Sequence, residues 1–171
     1  MKIFFLKILQ VFLFTLILVG CKEDDEVVTP IQPLPDNQHK VTITQGVWGD
    51  VLFLEGDFMP SYGAHSNGGK IKPVEREVFI YEAAKYVDVV GDTLRPYFLY
   101  KIDTKFITKT VSDKDGFFQV SLDPGLYSCF VKEDSFYWAG GGDGNGVYMA
   151  VNVKSNLVTK TQINIDYKAV Y

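Results

Sequence analysis

Polar and apolar residues alternate most strictly along Thr110–Val131. Phe118, Val120 and Leu122 share one phase while Phe117, Gln119 and Ser121 take the other, the two-residue period of a half-buried strand. Tyr127, Cys129 and Val131 repeat the pattern against Ser128, Phe130 and Lys132. Asp123-Pro124-Gly125 separates the two runs with a fixed φ at proline and a permissive one at glycine. Paired directly, the runs set Leu122 against Tyr127, Val120 against Cys129 and Phe118 against Val131, with all six apolar residues on one face. A slip of one residue turns half of them to solvent, so the pattern itself selects the register. Asp113–Gly116, just upstream, is a second turn signal.

The same reading extends outward. In Val41–Phe58, Val41, Ile43, Val47, Gly49, Val51 and Phe53 lie on one face and Trp48, Leu52 and Leu54 on the other, which predicts a strand covered on both sides. Gly46 and Gly49 inside it predict a bulge or a close backbone approach. Met59–Lys72 is a polar, glycine-rich loop, long for a hairpin connection; loops of that length are commonly functional or mobile. Pro73–Glu82 returns to strand, with Val78 and Ile80 inward and Phe79 and Tyr81 outward. Ala83–Arg95 reads either as a helical turn or as strand, ending at Gly91-Asp92. Pro96–Val111 holds one or two strands, and Tyr148–Val153 and Gln162–Tyr167 close the chain. The result is an all-β chain, a sandwich of about seven antiparallel strands at roughly 8–14-residue spacing.

The other end is different in kind. Met1–Gly20 carries Lys2 and Lys7, then an apolar run from Ile8 to Val19 broken only by Gln10 and Thr15. Its length alone fits a membrane span; its position, basic start and small final residue favour a cleaved signal. Leu18-Val19-Gly20-Cys21 resembles the lipobox of bacterial lipoproteins. That resemblance implies diacylation of Cys21 on sulfur, cleavage before it and acylation of the new amine, several chains being enough for stable anchoring. A plain membrane anchor or secretory signal is the alternative. Lys22–Glu26 is either a solvated tether or, by resemblance, the acidic export signal of Bacteroidota surface lipoproteins. Val27–Lys40, with Pro30, Pro33 and Pro35, continues as an extended linker of about 3 Å per residue. Three parts follow: a lipoprotein signal peptide (1–20), a lipidated, acidic and proline-rich tether (21–40), and one β-sandwich domain (41–171).

Charge and reactive residues exclude more than they assign. With 17 basic and 21 acidic residues the net charge is −4, and no basic patch marks a nucleic-acid partner. Cys21 is taken by the lipid, so Cys129 stands alone and no intrachain disulfide forms. Its inward phase predicts a buried, inert thiol. A catalytic zinc needs convergent histidines and a carboxylate, and the chain has only His39 in the linker and His65 in the long loop. Ser61 or Ser66 with His65 lacks anything to position it. Asp113, Asp115 and Gly116 resemble a fragment of a calcium loop without its closing glutamate; the plainer reading is a turn whose aspartate caps its own backbone. Asp143 and Asn145 in the second glycine-rich stretch, within Lys132–Gly146, are a weaker calcium candidate. Neither a metal nor a cofactor is implied. The aromatics are the sharper signal. Tyr137, Trp138 and Tyr148 flank that stretch and Tyr62 lies in the other loop. If the loops meet, these rings form a stacking platform for sugar; otherwise they are core or edge cover.

Asp115-Gly116, Phe118, Val120, Leu122, Pro124-Gly125, Tyr127, Cys129 and Val131 together resemble the D-G-x-F-x-L-x-L-…-G-x-Y-x-L-x-V core of carboxypeptidase regulatory-like domains. Gly46–Val51 and Lys72-Pro73-Val74 are similar to that family's first strand and following turn, and Val151–Val153 and Thr161–Tyr167 to its closing strands. The resemblance implies a transthyretin (prealbumin)-like sandwich and brings no catalytic residues; the loop at 59–72 departs from it. With the lipobox, the whole is similar to Bacteroidota surface lipoproteins. The expectation is a non-enzymatic module, lipid-anchored at the outer membrane and exposed at the cell surface, for adhesion, scaffolding or interaction with a surface protein or glycan. A carbohydrate-binding accessory of nutrient uptake, using the loop aromatics, is the alternative.

Overall fold

In the computed structural model, residues 33–60 and 68–171 are described. The leader, the lipobox with Cys21, the acidic run, and Ser61, Tyr62, His65 and Ser66 lie outside them. Eleven strands are formed within the described residues: β1 (Gly46–Asp57), β2 (Lys70–Pro73), β3 (Glu77–Glu82), β4 (Val89–Gly91), β5 (Phe98–Ile102), β6 (Phe106–Val111), β7 (Phe117–Val120), β8 (Gly125–Glu133), β9 (Phe136–Trp138), β10 (Ala150–Val153) and β11 (Val158–Val170). They make two sheets, and the all-β sandwich is the architecture. The strand count exceeds about seven because Pro96–Val111 holds two strands, Ala83–Arg95 contributes β4, and β2 and β9 form where the local pattern carries no strand signal, at the end of the Met59–Lys72 loop and within Lys132–Gly146.

The four-stranded sheet is built on β1. β11 runs along one edge of it, and β7 and β2 lie antiparallel along the other. The β1–β11 ladder is parallel, the one exception to antiparallel pairing among the described residues. A strand paired on both edges and covered on both faces reads as nearly continuous apolar sequence; Val47, Trp48 and Val51–Leu54 are all buried. The close approach predicted at the glycines is present. A Cβ on Gly49 would sit 2.3 Å from the Thr161 carbonyl oxygen of β11, and Gly46, at φ +133°, lies against the backbone of Val120.

The seven-stranded sheet runs β4-β5-β9-β8-β3-β6, with β10 beside β9 on the same edge of β8. β7 and β8 are therefore in different sheets, and the direct pairing of Val120 with Cys129 is not made. Their shared face is. Phe118, Leu122, Tyr127, Cys129 and Val131 meet in one core with Val47, Val51, Val78, Ile80 and Ile163, and Val120 packs against it. Alternation tells which side of a strand is apolar; it is equally satisfied by a neighbour in the sheet or by an opposing sheet. Asp123-Pro124-Gly125 carries the chain between the sheets, pinned by the Tyr127 hydroxyl, which donates to the Asp123 carbonyl at 2.9 Å, the arrangement of a tyrosine corner.

A second apolar layer covers the outer face of the larger sheet. Tyr81, Leu99 and Phe130 are buried there with Ala84 and Ala139, and Phe79 and Tyr137 pack against them. Phe79 and Tyr81 do point outward, but onto rings: Tyr81 meets Phe106, Phe130 and Tyr137 edge-on at 5.4–6.0 Å. Between the sheets, buried Glu133 accepts from the Tyr167 hydroxyl at 2.9 Å and pairs with the Arg76 guanidinium. Burial, then that carboxylate, pushes the Tyr167 phenol up to about 12.

The last residues read as tether are docked on the domain. Asn37 is 2% exposed and donates to Asp50 Oδ1 at 2.7 Å and to the Asp115 carbonyl at 2.9 Å. Lys40 donates to both Asp113 and Asp115, at 2.8 and 2.7 Å. The ammonium thus sits at the carboxylates that resemble a calcium-loop fragment. Asp113 also accepts from the amides of Asp115 and Phe117, as the plainer turn reading expects.

Candidate functional site

β9 explains what becomes of the predicted platform. Successive side chains of a strand point to opposite faces, so Tyr137 and Trp138 part company. Trp138 turns into the main core at 2% exposure, donates from Nε1 to the Asn164 carbonyl at 2.8 Å, and packs on Phe98 and Tyr167. It offers no ring face to a ligand and cannot serve as a platform residue. Tyr137 turns outward into the second layer, where its hydroxyl accepts from Tyr81 and the Lys132 ammonium lies 4.1 Å above its ring. Burial and that hydrogen bond push the Tyr81 phenol well above its ordinary range. Tyr137 is committed to packing on one side and to a cation on the other.

Tyr148 packs against the same outer layer, at a corner formed by the glycine-rich loop and the turn Tyr86–Asp88. The loop is held from both ends by backbone bonds: Ala139 N–H to Tyr97 O, Met149 N–H to Gly141 O, Tyr148 N–H to Ala84 O and Tyr86 N–H to Gly146 O. The Tyr86 ring lies across it. A Cβ on Gly142 would come within 2.6 Å of the Tyr86 hydroxyl, which is why that position is bare. Tyr148 meets Tyr86 edge-on at 4.6 Å between centroids. Burial raises the Tyr148 phenol above its ordinary value, and the neighbouring phenols of Tyr86 and Tyr97 raise it further. Tyr86 is 56% exposed and Tyr97 50%. Two open rings thus stand beside a half-buried third on hydrogen-bonded backbone.

Asp143 borders this corner. Its Oδ1 accepts from the amides of Val147 (3.1 Å) and Asn145 (2.8 Å), which hold the carboxyl below its ordinary range. Those bonds close the loop. Among the described residues no three histidine, cysteine, aspartate or glutamate side chains converge to hold a metal. His39 lies exposed in a short 3-10 turn with Nδ1 2.8 Å from the Asp36 carbonyl.

Of the four predicted aromatics, only Tyr148 belongs to the corner; Tyr62 is outside the described residues. Tyr86 and Tyr97 are the additions. Both lie in stretches whose local pattern is ambiguous, and neither is near Gly140–Gly146 in sequence, so no local signal joins them.

Compared with known proteins, the chain matches no family model, no curated protein and no solved structure.

Proposed function

We propose that the chain is a non-catalytic binding module, held at the outer-membrane surface by a lipid on Cys21, that meets its partner through the Tyr86–Tyr97–Tyr148 corner. The observation that carries the site is the pair of half-exposed tyrosine rings braced by backbone on both sides. Tyrosine supplies large contact area with little side-chain entropy to lose and is enriched at recognition surfaces for that reason. The anchor is supported by the placement of Leu18–Cys21 at the end of the apolar run, and the kind of sandwich by the resemblance to carboxypeptidase regulatory-like, transthyretin-like domains.

A carbohydrate ligand is the second reading, favoured by polar Asp143 and Asn145 beside the open rings. Sugar faces stack on tyrosine while hydroxyls meet planar polar groups. The test is capture of surface proteins by cross-linking on intact cells, run beside a glycan array, with the parent chain and Tyr86→Ala/Tyr97→Ala. The double variant loses the ligand on whichever assay detects it; unchanged capture and array signals sink the corner. Cys21→Ser moves the chain from the membrane fraction to the soluble one, and unchanged fractionation overturns the anchor.

A further inference from the structure

A cleft of about 770 Å³ opens at one end of the sandwich and shares no residue with the tyrosine corner. Ile107, Leu122 and Tyr127 form its apolar floor, and Glu82, Lys105 and Asp123 stand at its rim. Its origin lies in the chain path. β6 and β7 belong to different sheets but are joined by the short turn Ser112–Gly116, so their edges begin together at that turn and end apart, at Phe106 and Val120. The cleft fills that opening.

The two edges differ. The segment before β1 covers the β7 side: Gln119 and Thr42 exchange two hydrogen bonds, and Gln45 donates to the Leu122 carbonyl at 3.0 Å. Among the described residues β6 ends its sheet and pairs only with β3. The Ser112 amide donates to the Arg76 carbonyl, which sets the phase of that ladder. Thr110 and Thr108 face β3, and Lys109 turns its N–H and C=O outward. Those groups have no partner among the described residues. An unpaired edge is a template for a further strand. The rim adds a charge preference. The Asp123 carboxylate has no hydrogen bond or ion pair among the described residues, and Glu82 has only Lys105, at 3.9 Å with both side chains more than half exposed, a weak pairing.

We infer that this cleft takes an extended segment of a partner polypeptide, added as a strand along β6. One lysine or arginine of that segment lays its aliphatic stem on Ile107 and Leu122 and brings its cation to Asp123 and Glu82. This goes beyond the reading above and uses none of its residues.

The probes are two acetylated, amidated peptides, Thr-Val-Lys-Val-Thr and Thr-Val-Glu-Val-Thr, titrated into the isotope-labelled full chain in detergent while amide shifts are followed. The lysine peptide shifts the Ile107 and Lys109 amides and binds at least tenfold tighter than the glutamate peptide. Lys109→Ala binds within about twofold of the parent. Lys109→Pro, which removes an outward N–H and no ladder bond, loses at least tenfold. Asp123→Lys, on an exposed turn, loses as much and decides the matter if the proline variant fails to fold. Equal affinity for the two peptides, full affinity in Asp123→Lys or in folded Lys109→Pro, or shifts confined to other residues overturns the proposal. So does a concentration-dependent doubling of mass in light scattering without peptide, which assigns the edge to a second copy.

Discussion

Cys129 and Trp138 are both residues whose chemistry invites a functional role and whose position removes it. Cys129 is 1% exposed on β8, and burial pushes its thiol up to about 12. The thiolate is the reactive form, so at pH 8 iodoacetamide leaves the folded chain unlabelled at this residue and labels it fully in urea; mass spectrometry reads both, and rapid native labelling contradicts the placement. Trp138→Phe keeps a ring in the core but removes the donor to the Asn164 carbonyl. The expected loss is about 1–3 kcal/mol, from an unpaired buried acceptor and a small cavity. It is read as a lowered urea midpoint at unchanged slope; an unmoved midpoint shows the indole is dispensable.

Among elements, the short segment Asn37–Lys40 is the one whose status changes most. As sequence it continues a proline-rich tether; in three dimensions it is stapled to the Asp113–Gly116 turn. Burial pushes the Asp113 carboxyl up, but the Lys40 ammonium and the amides of Phe117 and Asp115 outweigh it and hold it below the ordinary 3.8. A carboxyl depressed in the folded state stabilises fully above its unfolded value and loses that contribution as pH falls through the folded one. The staple is therefore intact at neutral pH and loosens only in acid. The Phe117 amide, bonded to Asp113 Oδ1, reports this by NMR as a titration with its midpoint below 3.8; a midpoint at or above 3.8 contradicts the pairing. Thr110–Val131 was legible as two in-phase strands and a turn. Its partition between sheets was not, because a two-residue period defines a strand's faces and leaves its edges undefined.

At the scale of the whole molecule, the larger sheet is apolar on both faces, and its outer layer is core in its own right. Phe118 lies between the sheets and Phe130 beneath the outer layer, at 1% and 0% exposure. Phe130→Ala accordingly costs about 3–5 kcal/mol, as Phe118→Ala does, in denaturant unfolding of each variant. A Phe130→Ala cost under about 1 kcal/mol reduces the outer layer to edge cover. The sequence by itself determined that the chain is a β-sandwich, which side of β3, β7 and β8 faces the main core, that Cys129 is enclosed, and that turns fall at Asp113–Gly116 and Asp123–Gly125. Those are local properties, written in period two and in proline and glycine. Only the tertiary structure decided that β1 and β11 run parallel, that Trp138 is core while Tyr86, Tyr97 and Tyr148 share a corner, and that Lys40 fills the Asp113–Asp115 turn. Each of these joins residues tens of positions apart, and edge pairing, ring contact and charge neutralisation across such distances leave no mark in the local pattern.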